Sequence, residues 1–217
     1  MDYFVFSYLG KPIGGSGENY GTVYDMKESC DRCGTGAKVK DVLKIKLKQT
    51  SKDLFETVDG DILISQDLYR RINDANLDVE SLTKVRNQKG EVLPFYHLKT
   101  NRTLPPANII SGLKIEDQCP VCMRDGYFHD VIIGNLEKDI STKVIPLIIR
   151  YQKGIMDNYG PSDIFFSWEC LGLSSRSKDN GGIIRYARPL LIVSERLKSV
   201  LENTSKKDIE FQKVGLI

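Results

Sequence analysis

Histidine is almost missing from this chain of 217 residues, with His97 and His129 the only two. A Ser/His/Asp or Cys/His centre therefore has few candidates. The acidic residues are scattered, with no pair of carboxylates in a setting that suits acid–base work. No catalytic constellation emerges, and a non-enzymatic protein is expected. An excess of one charge is missing too: 31 Lys and Arg stand against 29 Asp and Glu, for a net charge of +2. With 41% hydrophobic residues, that balance excludes a disordered tail and a dedicated polyanion binder. Long apolar runs are also absent. "VIPLII" and "PLLIV" are far too short to cross a bilayer, so no membrane association is expected. The start, "MDYFVFSYLGKPIGG", lacks the basic residues and small-residue cleavage site of an export signal and reads as a strand. The expectation is a cytoplasmic protein in a reducing compartment, where paired cysteines serve metal binding or redox chemistry in preference to structural disulfides. The glycine-rich "GKPIGGSGENYG" lacks the GxxxxGK[ST] pattern and any helix start after it, so it reads as a flexible hairpin loop.

What is present is two pairs of cysteines, in "SCDRCGTGAKV" and "QCPVCMRDGYF". Each pair has two residues between its thiols, and two such turns facing each other form a tetrahedral sulfur site that suits zinc. The expected ligands are Cys30, Cys33, Cys119 and Cys122, holding one structural zinc ion. Gly34 follows the first pair, where a residue without Cβ lets backbone N–H groups turn toward the thiolates. Met123 stands at the equivalent place after the second pair. Cys33 and Cys119 are 86 positions apart, against roughly 15–20 in a compact zinc ribbon. The intervening segment must then be an excursion whose ends return to one place, since closing a long loop costs only slowly more entropy as it lengthens. His129 is a possible substitute ligand but reads as a hairpin residue, and Cys170 reads as a buried strand cysteine. A redox-active CxxC is the competing reading, weakened because neither pair opens an evident helix.

An internal repeat organises the rest. "DILISQDLYRRINDANLDVESLTKV" aligns with "PLLIVSERLKSVLENTSKKDIEFQKV", with Ser65 against Ser194, Leu68 against Leu197 and Ile72 against Leu201. Each copy reads as a short apolar strand, a serine that caps the next helix, a helix of about three turns and a second strand. The expected fold is a single α+β domain over 1–217. It is strand-rich, with strand–helix–strand units at 61–85 and 189–214 and zinc knuckles at 30–33 and 119–122 that tie the N-terminal part to the middle of the chain. "KVRNQKGEVLPFYHL" reads as a hairpin turning at Gln88 to Gly90, with His97 facing solvent. "DVLKIKLKQ", "KVIPLIIRY" and "DIFFSWECLG" read as strands, and "KTNRTLPPAN" and "SSRSKDNGG" as loops.

Lys38, Lys40, Lys44, Lys46 and Lys48 could form a basic stripe beside the first knuckle. A zinc-stabilised nucleic-acid-binding protein is therefore an alternative, and a thiol–disulfide oxidoreductase a further one. A solvated strand face is preferred for the lysines, because no aromatics interleave with them.

The order of parts resembles the bacterial double-CxxCG motif family: a CxxCG near the start, a strand–helix unit, a second CxxC, then "RPLLIVSERLKSVLENTSKKDIEFQKV". "SDIFFSWECLG" followed by "PLLIVSERLKSVLE" also resembles a C-terminal signature shared with other immunity families. The resemblance covers nearly the whole chain in order, though only the two CxxC motifs and the C-terminal strand–helix are specific. It implies an immunity protein of a toxin–immunity system, whose partner is a cognate toxin bound directly. By position it assigns Cys30, Cys33, Cys119 and Cys122 as the motif cysteines, with Met123 departing from the second CxxCG. It assigns no toxin-contacting residue.

Overall fold

The two repeated units pack their helices against each other and share one core. In a computed structural model, which describes residues 1–47, 49–79, 82–134, 141–160, 162–176, 183–185, 187–205 and 207–217, strand Ile62–Ser65 runs into helix Gln66–Asp74. Strand Arg188–Ser194 likewise runs into helix Glu195–Ser205. Both serines do what their positions predict: Ser65 Oγ accepts from Leu68 N, and Ser194 Oγ accepts from Leu197 N, each at 3.1 Å. Leu68 and Ile72 from one helix and Leu197 and Leu201 from the other are fully buried in a single cluster with Ile64, Tyr96 and Val193. Val200 packs at its edge, while Ala75 ends the first helix as its C-cap. These are the only α-helices among the described residues, and neither is long and apolar enough to cross a membrane.

Each unit belongs to its own curled sheet. The first contributes to a six-stranded sheet in the order Gly15–Ser16, Lys44–Lys46, Thr83–Asn87, Val92–His97, Ile62–Ser65, Leu54–Glu56. The second contributes to a four-stranded sheet ordered Ile164–Leu171, Arg188–Ser194, Tyr3–Tyr8, Ile209–Lys213. The N-terminal strand is thus central in a sheet otherwise built from the last third of the chain, pairing antiparallel with both neighbours. That placement satisfies its backbone groups on both edges and buries Val5 and Phe6.

Several expected elements differ in extent. The glycine-rich segment is an ordered edge strand at Gly15–Ser16, anchored where Ser16 N donates to Asp59 at 2.7 Å. "DVLKIKLKQ" keeps only Lys44–Lys46 as strand. "KVIPLIIRY" divides into Ser141–Val144 and Ile148–Tyr151, with Pro146, which has no N–H to donate, in the break. The hairpin at Gln88–Gly90 and the strand "DIFFSWECLG" are found where expected, as is the loop at "KTNRTLPPAN". "SSRSKDNGG" includes a two-residue strand, Ser175–Arg176, and its remainder from 177 on lies outside the described residues.

Candidate metal centre

Each cysteine pair sits in the loop of its own two-stranded hairpin. Cys30 and Cys33 lie between the paired strands Tyr24–Asp25 and Lys38–Val39. Cys119 and Cys122 lie between Leu113–Ile115 and Tyr127–His129. The two loops meet. Sγ of Cys30 is 3.9 Å from Sγ of Cys119, Sγ of Cys33 is 3.5 Å from Sγ of Cys122, and all four sulfurs lie within 4.8 Å of one another. Sulfurs at the corners of a tetrahedron with metal–sulfur bonds near 2.3 Å would stand about 3.8 Å apart. The four expected ligands are therefore together, at a spacing that fits one metal ion such as zinc.

The loops share a backbone design. Gly34 N donates to Cys30 O at 2.8 Å, and Met123 N donates to Cys119 O at 2.9 Å. Both residues take positive φ, 83° for Gly34 and 55° for Met123. The left-handed conformation is easy for glycine and unfavourable for methionine by about 1–2 kcal/mol. Met123 is exposed and so loses little packing when replaced. Met123→Gly should therefore raise stability, by up to about 1 kcal/mol once the greater freedom of glycine in the unfolded chain is subtracted. A lower denaturant midpoint for the variant would refute this account of the second loop.

The surroundings hold the thiols in place. Cys33 Sγ accepts from Thr35 N at 3.5 Å and lies 3.1 Å from the Thr35 hydroxyl. Buried Asp125 accepts from Cys119 N at 3.0 Å and from Ser174 N at 3.3 Å. Gln118 closes the second loop by donating to the carbonyls of Met123 and Asp125. The second loop is fastened to strand Ile164–Leu171, where Cys170 N donates to Arg124 O at 2.7 Å and Gly126 N donates to Gly172 O at 2.8 Å. The first loop leads directly into the six-stranded sheet through Lys44, whose N–H donates to Thr22 at 2.9 Å. The cysteine cluster consequently ties one sheet to the other.

Electrostatics favour a cation at this place. Burial opposes ionisation of Cys30, but the N–H groups of Cys33 and Arg32 and the neighbouring thiols outweigh it and bring its pKa down to about 7. Burial raises Cys33, and burial with the adjacent sulfurs pushes Cys122 up strongly. Four thiols so close cannot all ionise unaided, and a divalent ion supplies the charge that lets them do so. Neither loop opens a helix. Cys170 lies outside the cluster, with burial pushing its pKa up to about 12. His129 is exposed on its hairpin strand and does not join the sulfurs.

Lys38 belongs to the first cysteine hairpin and pairs with Glu28 at 2.6 Å, Lys44 and Lys46 belong to the six-stranded sheet, and Lys48 lies outside the described residues.

A second polar centre escaped the sequence reading. His97, expected at the surface, is buried at the end of strand Val92–His97, with Nε2 3.3 Å from Asp61 Oδ1. Asp61 also accepts from Ser16 Oγ at 2.5 Å and from Arg188 at 3.2 Å, and Arg188 Nε donates to Asp59 O at 2.9 Å. Burial opposes ionisation of Asp61, but Arg188, His97 and Ser16 together hold its carboxyl well below the usual carboxylate range. Arg188 comes from the four-stranded sheet and Asp61 precedes a strand of the six-stranded one, so this is a second tie between the sheets. Its only sequence signal was "DGDILI", an acidic residue at the mouth of an apolar strand.

Among the described residues, fold and site together define a strand-rich protein with two α-helices and a four-cysteine cluster compatible with one bound metal ion. No protein-family model and no curated protein matches the chain.

Proposed function

We propose that this is a non-enzymatic protein-binding module, an immunity protein that neutralises a cognate toxin by direct binding, and that one structural zinc held by Cys30, Cys33, Cys119 and Cys122 stabilises it. The observation that carries the reading is the convergence of two distant CxxC loops on one four-sulfur cluster. That cluster is the feature on which the resemblance to the double-CxxCG motif family chiefly rests. The ligand set is complete with protein sulfurs, which leaves no open position for substrate and suits a structural ion. Occlusion of a toxin needs surface complementarity in place of a chemical step, and affinity would rest on a few anchoring side chains.

The test is co-purification with the products of the adjacent genes. A stable complex with one of them, together with protection of cells that express it, is the expected result. Failure to bind any adjacent product would overturn the immunity reading while leaving the metal assignment standing.

A further inference from the structure

A cleft of about 500 Å³ opens between the two large sheets beside the first cysteine loop. Its volume lies within the range of about 300–1,000 Å³ typical of small-molecule sites. Two properties of its lining point to one class of ligand. The first is charge: basic side chains outnumber acidic ones by five to two on the lining, on a chain whose net charge is only +2. Lys99 is half-buried there and makes no ion pair among the described residues. Burial lowers its pKa, with Asp61 acting in the opposite sense. The second is an apolar wall that includes Tyr159, Phe166 and Leu191.

Asp61, the negative charge near Lys99, is already shared with Arg188 and His97, and a partly buried cation without an ion pair of its own is stabilised when an anion reaches it. We propose that this cleft binds a small organic anion, a carboxylate or phosphate on an aromatic body, with the acidic group at Lys99 and the ring against Tyr159 and Phe166. The site is separate from the cysteine cluster and does not depend on the toxin-binding reading.

The experiment is a titration of the metal-loaded full chain with benzoate, with phenyl phosphate and with neutral benzamide, followed by NMR shifts and calorimetry. Saturable binding of at least one anion in the millimolar range or tighter is expected, with benzamide about tenfold or more weaker. In Lys99→Met, anion affinity should fall by about tenfold or more while benzamide binding and thermal midpoint stay near the parent values. Preference for one anion over the other assigns the acidic group as carboxylate or phosphate. Equal affinity for benzamide and the anions, unchanged anion binding in Lys99→Met, or no saturable binding of either anion would overturn the proposal.

Discussion

Protein purified without added metal should contain close to one zinc per chain, and Cys119→Ser should contain none and be severely destabilised. The expectation follows from what the cluster connects. Cys30 and Cys119 are 89 positions apart, and their loops lead into different sheets. Apparent binding energies of structural zinc sites are about 10–16 kcal/mol in small domains at neutral pH, while whole-protein stabilities are about 5–15 kcal/mol. Losing the ion should therefore remove a large part of the total. The remaining sulfurs would also be left crowded and partly buried without a cation, as the raised pKa values of Cys33 and Cys122 indicate. Metal analysis beside thermal unfolding, with and without a strong chelator, measures both effects. A fully folded Cys119→Ser variant with an unchanged midpoint would show that the cluster does not hold the sheets together. Rapid alkylation of all five cysteines in metal-free but stable protein would point the same way.

The second large effect should come from Asp61. Asp61→Asn leaves the Arg188 guanidinium and the His97 N–H facing an amide instead of a carboxylate, inside a buried site. Breaking one partner of a buried ion pair costs about 3–5 kcal/mol, far more than losing an exposed pair such as Arg70 with Asp67. The pH dependence provides a separate check. In the folded protein the Asp61 carboxyl is held below the usual range, and in the unfolded chain it titrates near 3.9. A group depressed in this way stabilises the fold above its unfolded pKa, and the contribution is lost as pH falls from about 4 toward the folded value. The parent should thus lose stability through that acid window, and Asp61→Asn should show a shallower decline there. Urea unfolding of both proteins at several pH values below 5 decides it, and parallel curves would remove Asp61 from the account.

Much of the fold was legible where local chemistry and core packing agree. The repeat around Ser65 and Ser194 was readable because a capping hydroxyl and an apolar helix face are short-range patterns, and the structure places both helices in one core. The cysteine pairs were readable because CxxC spacing is itself the geometry of a metal-binding turn. Extents were less legible: Lys44–Lys46 is shorter than its alternation suggests, since strand length depends on which neighbours supply hydrogen bonds. His97 was misread for a related reason. A strand residue faces solvent or core according to what packs on that face, and here the covering residues come from Arg188 and Asp61, far away in the chain.

The sequence by itself determined the local units: two capped strand–helix segments, two thiol-bearing turns, a hairpin at Gln88–Gly90, and a charge balance without surplus. Each is settled by interactions within a few residues. Only the tertiary structure decided that the two thiol turns meet, that the N-terminal strand completes the C-terminal sheet, and that Asp61, His97 and Arg188 share one buried site. Those pairings join residues far apart in sequence. They are fixed by the burial of apolar faces and the need to satisfy every buried polar group at once, and neither condition is expressed in any short stretch of residues.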